Sequence, residues 1–164
     1  MTVKPANHSY RRRTNGTSLT GGKRMGYVYA EIQLTNEDDL AFNRRGSLPE
    51  SEIRRVTIRA MVDSGAYDLI LNQEIQEQLK LPVLGTRLVK LADETIVEVD
   101  IVGPVEVRFE TRATTVRALV IPDTEEVLLG AIPLEGLDVI IDPLRERLLV
   151  NPPETTKAYV KRVA

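Results

Sequence analysis

Two short apolar runs stand about 65 residues apart, each ending in a glycine turn and each followed by a short helical pattern. The first, Ala60-Met61-Val62, delivers one carboxylate, Asp63, into Ser64-Gly65-Ala66, and Leu69-Ile70-Leu71 leaves that turn. The second, Val127-Leu128-Leu129, stops at Gly130. A charged carboxylate in an apolar setting is costly unless it is paired or hydrogen-bonded, so a chain that places one there has a reason to. Asp-Ser-Gly is also ordinary turn chemistry, and the tripeptide alone says only that a turn joins two strands.

Around these runs the pattern is one of many short strands. Residues 27–34 alternate toward their end, and residues 53–62 place Val56, Ile58, Ala60 and Val62 on one face. The polar stretch 35–51 between them contains Arg44-Arg45-Gly46 and Pro49 and reads as a loop with one helical turn at Leu40-Ala41-Phe42. Leu69-Ile70-Leu71 is too short for a helix and reads as a buried strand. Asn72 suits a helix N-cap, with Glu74 in the first turn and Ile75 and Leu79 four residues apart on one face, before Leu81-Pro82 ends the helix. Residues 87–91 and 95–102 bracket Ala92-Asp93-Glu94 as a β-hairpin, which Gly103-Pro104 breaks. Residues 105–109 and 115–121 read as a further pair. Residues 131–137 fit a short helix with Pro133 in its first turn, and residues 139–142 and 147–150 a hairpin through Pro143. The fold class is all-β, closed or sandwiched, with one or two short helices.

Composition narrows the chemistry. At 164 residues the chain makes one domain with a substantial core. With no cysteine, disulfides, thiol nucleophiles and zinc-thiolate sites are all absent. The single histidine, His8, falls in a polar N-terminal segment without periodicity, which argues against Ser-His-Asp, Cys-His and HExxH chemistry. No glycine-rich phosphate loop is present, and acid–base work falls to carboxylates, lysine or tyrosine. Residues 1–24 carry six basic side chains and no acidic ones, whereas the rest carries 16 basic and 24 acidic. A body this acidic is a poor general nucleic-acid binder. Residues 1–25 therefore read as a disordered basic tail, residues 26–151 as the folded domain and residues 152–164 as a C-terminal tail. No apolar run approaches the roughly 20 residues of a membrane span, and a cytoplasmic location is expected.

Taken together, the Asp63 turn, Leu69-Ile70-Leu71, the hairpin around Asp93 and the run from Val127 to Leu134 resemble the retropepsin-like aspartic peptidases. The likeness is greatest to small bacterial single-lobe members and spans about residues 27–150. It implies a single-lobe acid-protease barrel with Asp63 as the catalytic carboxylate. Ser64 would tie two copies of the turn together, Gly65 would contact the substrate main chain, and Ala66 would lie beside the scissile bond. Ala92, Asp93, Glu94 and Thr95 would form a flap over the substrate, and Leu128, Leu129 and Gly130 the apolar loop beneath the active-site turn. No cofactor and no metal are implied.

Hydrolysis by this route uses one ionised carboxylate to activate water and one protonated carboxylic acid to polarise the carbonyl. The chain has one Asp-[Ser/Thr]-Gly; Asp123-Thr124 is followed by Glu125. The resemblance therefore implies a homodimer with one Asp63 from each chain, acting on a peptide or protein, with residues 148–150 as the candidate interface. No nucleic acid or membrane partner is expected. Several positions depart from the family: Ser64 for the commoner Thr, Glu94 where relatives often carry Gly, Tyr67 where retroviral enzymes carry an acid, and Ala131 where they carry Arg. A solvated or turn-bonded carboxylate is the plainer reading of Asp68, and reach toward a substrate the alternative. The alternatives are a non-catalytic dimer of the same fold that binds peptides, and a nucleic-acid binder acting through the basic tail.

Overall fold

The computed structural model describes residues 26–152. The expectations about residues 1–25, His8 among them, and about the C-terminal tail beyond Pro152 lie outside the described residues. Nine strands and three short α-helices are present among the described residues, with one 3-10 turn at Glu50–Glu52. None of these helices is long and apolar enough to cross a membrane.

The first strand, β1 (Val28–Asn36), buries Val28, Ala30, Ile32 and Leu34 on one face, which is the period-2 pattern of a half-buried strand. It pairs antiparallel with β2 (Arg55–Val62) in an unbroken register from Val28 opposite Val62 to Thr35 opposite Arg55. Beyond them come β3 (Leu69–Leu71), β4 (Val83–Lys90), β5 (Ile96–Phe109), β6 (Arg112–Val120) and β7 (Leu128–Leu129). The order β1-β2-β7-β3-β6-β5, with β5 pairing back onto β1, closes six strands into a ring, and β4 extends from β5 as the terminal strand. A closed β lobe is what the alternating pattern and the resemblance together imply.

Ring closure depends on β5. Sequence reading ends a strand at Gly103-Pro104, but the structure carries one 14-residue strand through that point. Its first part pairs with β4, its last part pairs with β1 at Val105 to Arg108, and β6 accompanies both with a register shift between Val102 and Val105. Gly103 sits at φ +138°, where an L side chain is strained, and a Cβ would lie 3.3 Å from the Arg117 Cα. The glycine marks a bulge that redirects the strand, not its end.

Inside the ring Ile32, Leu34, Leu69, Leu71, Val102, Val105, Val107 and Leu129 are almost fully buried. Ile70 points to the opposite face of β3 from Leu69 and Leu71. There it joins Val99 and Leu119 in a second, smaller cluster that also packs Val89, Val97 and Leu128. α2 (Gln73–Leu79) starts at Asn72, whose side chain accepts from the Ile75 N–H at 2.9 Å, and it buries Ile75 and Leu79 as its periodicity requires.

The polar stretch after β1 holds more structure than one helical turn. Asn36 caps α1 (Glu37–Arg44) by accepting from Asp39 N–H at 3.1 Å, with three acids in the first turn and Arg44 in the last. Asp39 is buried, and its carboxylate takes the Arg54 guanidinium at 2.6 and 2.7 Å and the Arg54 N–H at 3.0 Å. Those bonds from Arg54 hold the Asp39 carboxyl below its ordinary value of 3.8. A depressed native pKa contributes stability that is present above the unfolded value and lost as pH falls through the native one. Acid should therefore weaken this clasp only below about pH 3.8. Asp39→Asn should lower the unfolding free energy by about 2 kcal/mol near neutral pH, less than for a fully buried pair because Arg54 keeps 38 % of its side-chain exposure. Urea titrations of both proteins at about pH 6 and about pH 3 check this, and the difference between the two should shrink at the lower pH.

The last described elements are α3 (Ala131–Leu137) and the separate hairpin of β8 (Val139–Asp142) and β9 (Arg147–Val150). Arg112 fastens this hairpin to the ring by bonding Asp138 at 3.1 Å and the Asn151 carbonyl at 2.7 Å.

Candidate functional site

The two apolar runs that dominate the sequence meet around β7. This strand of two residues pairs parallel with the end of β2, Met61 to Leu128 and Val62 to Leu129, and antiparallel with β3 on its other side. Met61 N–H donates to the Val127 carbonyl at 2.9 Å and Asp63 N–H to the Leu129 carbonyl at 3.1 Å. Asp63 is thus set by backbone bonds directly after β2, whose buried part is Ala60 and Met61 near the turn.

The turn that follows is equally determined. Asp63 Oδ1 accepts from Gly65 N–H at 3.0 Å, and the Asp63 carbonyl accepts from Ala66 N–H at 3.1 Å. Asp and Asn make such turns because their short side chains reach the backbone two residues on. The carboxylate is half-buried, between the apolar end of β2 and exposed Ser64 and Gly65.

Gly130 fits directly beneath this turn. Ala131 N–H donates to the Ala66 carbonyl at 2.8 Å and Ile132 N–H to the Tyr67 carbonyl at 2.9 Å, so α3 begins by binding the turn. A Cβ on Gly130 would overlap the Asp68 carbonyl and stand 2.8 Å from both the Ala66 oxygen and the Tyr67 carbonyl carbon. The structure therefore brings Asp63, Ser64, Gly65 and Ala66 together with Leu128, Leu129 and Gly130 through hydrogen bonds and close packing. Beside the turn, Ser64 lines an open concavity of about 490 Å³ with Ala131, Leu134, Glu135, Val139 and Ile141 among its other walls.

Ala92, Asp93, Glu94 and Thr95 form the exposed tip of the β4–β5 hairpin. Leu91 and Thr95 close the turn through Leu91 N–H to the Thr95 carbonyl at 2.8 Å, and Glu94 N–H returns to the Leu91 carbonyl at 3.0 Å. Asp93 Oδ1 accepts from Thr95 N–H at 3.0 Å. Glu94 occupies the left-handed region at φ +72°, the position that glycine fills at no steric cost, and its carboxylate pairs with Lys90 at 2.7 Å. Glu94→Val should cost the hairpin about 1 kcal/mol, because a β-branched side chain suits that conformation worst. Faster amide exchange at Thr95, with no such change in Glu94→Gly, is the measurement.

Sequence reasoning missed what Asp68 does. Its Oδ2 accepts from Arg87 Nη1 of β4 at 3.1 Å, 19 residues along the chain, which joins the segment after the turn to the hairpin arm. No local pattern signals a pair so far apart in sequence. Tyr67, beside it, is 77 % exposed. Among the described residues no group of three or more His, Cys, Asp or Glu is arranged to hold a metal ion.

The arrangement offers one rigidly held carboxylate at the lip of an apolar lobe, with an amide-fixed turn on one side and a hairpin arm on the other. Such a group can accept or hold a proton for a substrate positioned above it. A family model described as "Aspartyl protease" matches residues 50–131, from the 3-10 turn ahead of β2 to the first residue of α3, which is half of the chain. No curated protein matches the sequence.

Proposed function

As the chain belongs to the aspartyl protease family, we propose that it is an aspartic endopeptidase that works as a homodimer, with Asp63 of each protomer forming one catalytic dyad. The observation that supports this best is the fixing of Asp63. Its N–H is bound to β7, its Oδ1 to Gly65, and the whole turn is seated on Gly130. A carboxylate so constrained loses little entropy on meeting a second one across a two-fold axis.

Two carboxylates at hydrogen-bond distance cannot both ionise, so the pair holds one proton. The ionised member takes a proton from water as the water oxygen attacks the peptide carbonyl carbon. The protonated member gives its proton to the carbonyl oxygen, which becomes a hydroxyl in the tetrahedral intermediate. Collapse of that intermediate breaks the C–N bond. The leaving nitrogen takes the proton that the first carboxylate drew from water, and one hydroxyl returns its proton to the second, which restores the singly protonated pair. Ser64, exposed on the turn, would bond its counterpart, and Gly65 and Ala66 would flank the scissile peptide. The hairpin tip at Ala92–Thr95 would cover it, and Leu128, Leu129 and Gly130 would support the dyad from below.

The interface belongs on the side of the terminal hairpin. Leu148 is buried in the protomer's own core, so its side chain is committed there. Ile132, Ile140 and Leu144 are exposed on the same part of the chain and are the apolar groups a second copy would cover. The test is cleavage of an unfolded protein at acidic to mildly acidic pH, together with the sedimentation coefficient. The reading expects a dimer whose activity is blocked by a pepstatin-type transition-state analogue. A protein that binds this inhibitor class without cutting would be a peptide-binding relative. One that neither binds nor cuts would overturn the assignment.

A further inference from the structure

Asp68 stands where three parts of the site meet. Its carbonyl lies over Gly130, its chain continues into β3, and its carboxylate bonds Arg87 of β4 at 3.1 Å. β4 is the terminal strand of the sheet, and its ladder runs along β5. Arg87 is two residues from Val89, so the two share a face of the strand, and Val89 packs against the cluster that contains Ile70. The guanidinium therefore adds a bond between the hairpin arm and the segment that carries Asp63, on the arm's inner face.

Burial of this pair is intermediate. Arg87 keeps 45 % and Asp68 21 % of its side-chain exposure. A fully enclosed pair would fix the arm, and no pair would leave its setting to the β-ladder alone. An exposed ion pair shifts a two-state equilibrium by only about two- to fivefold, which suits a contact that breaks and re-forms.

We infer that Asp68 and Arg87 form a positioning latch that holds the hairpin arm against the catalytic segment and releases it for entry of an extended peptide. This rests on the reading of the hairpin as a cover over a peptide substrate. Neither residue takes part in the bond chemistry; the latch sets how often the covered state is populated. Substrate affinity should therefore depend on it more than turnover does.

The experiment uses the full chain. Arg87→Met keeps the aliphatic stem and removes the charge. Amide exchange in residues 91–95 should become about two- to fivefold faster in it, and in Asp68→Asn, with the ring strands and the melting temperature unchanged. KM for an unfolded-protein substrate should rise by about the same factor while kcat stays near wild type. Exchanging the charges, Asp68→Lys with Arg87→Glu, should restore protection of the hairpin. Exchange and KM that match wild type in both single variants would overturn the latch. So would faster exchange spread over the whole ring, which would mark a structural pair. If the wild-type protein cuts nothing, the peptidase reading falls, and the exchange result still decides whether the arm is latched.

Discussion

Asp63→Asn should reduce peptide cleavage by about a thousandfold or more, the scale expected when general acid–base catalysis is removed, while the folded state survives. Survival follows from the turn. The bond to Gly65 N–H uses Oδ1, and an asparagine carbonyl oxygen accepts the same bond in the same place. The strand bond from residue 63 N–H to the Leu129 carbonyl does not involve the side chain. Melting temperature and near-ultraviolet dichroism should therefore match wild type, and the loss is assigned to chemistry. Mixing the two proteins sharpens the test. With a dyad shared between subunits, mixed dimers are inactive, and after subunit exchange activity follows the square of the wild-type fraction. If activity falls only in proportion to that fraction, each protomer works alone. If the variant cuts as fast as wild type, Asp63 is not the catalytic carboxylate.

Gly130→Ala should be nearly as damaging, for a steric reason. Gly130 has φ −84°, an ordinary value that alanine adopts without strain, so the need for glycine is one of space. The atoms a methyl group would meet are backbone atoms of Ala66, Tyr67 and Asp68, which cannot swing aside as a side-chain end can. Relief requires lifting the turn off α3, which breaks the bonds from Ala131 N–H to Ala66 and from Ile132 N–H to Tyr67. Overpacking with the loss of two backbone hydrogen bonds amounts to about 3–5 kcal/mol, a large fraction of a domain's net stability. The urea midpoint should fall accordingly. The proposed dyad should be lost even at temperatures where the ring remains folded, because the displaced segment is the one that carries Asp63. A variant with wild-type midpoint and activity would show that the turn is not seated as described.

Much of this geometry was legible in the sequence because it is local. Asp63-Ser64-Gly65 announces its turn, Asn72 its helix, and the alternation of Val28, Ala30, Ile32 and Leu34 its strand; each signal lies within a few residues of what it specifies. The matching glycine run at Gly130 could be connected to the turn only through resemblance to a family, since nothing local says which strands adjoin. Three features escaped for physical reasons. α1 is polar and buries Asp39, so it lacks the apolar stripe by which short helices are recognised, and its cap and acidic first turn were the only signals. β5 continues through Gly103-Pro104 because β6 stays paired with it on both sides of the bulge, a tertiary support that no local window contains. Asp68 reads as a solvated or turn-bonded carboxylate and Arg87 only as the start of a strand, and only the fold sets them 3.1 Å apart.

The closed ring also bears on how the protein keeps its own company in solution. Where ring strands are paired on both sides they present no row of unpaired backbone groups, so templated association with other chains cannot begin there. Among the described residues the open edges are the outer side of β4, the small β8–β9 pair, and the parts of β1 and β2 whose ladders run only to each other. The first is blunted by the irregularity at Gly85 and by charged Arg87 and Lys90, devices that resist strand addition. The terminal pair carries charge at Asp142 and Arg147 but exposes Ile140 and Leu144 beside them. On the proposed dimer reading, those exposed apolar side chains make the β8–β9 end the surface a second copy would cover. Grafting charge onto Ile140 and Leu144 should yield a soluble, folded monomer rather than a precipitate.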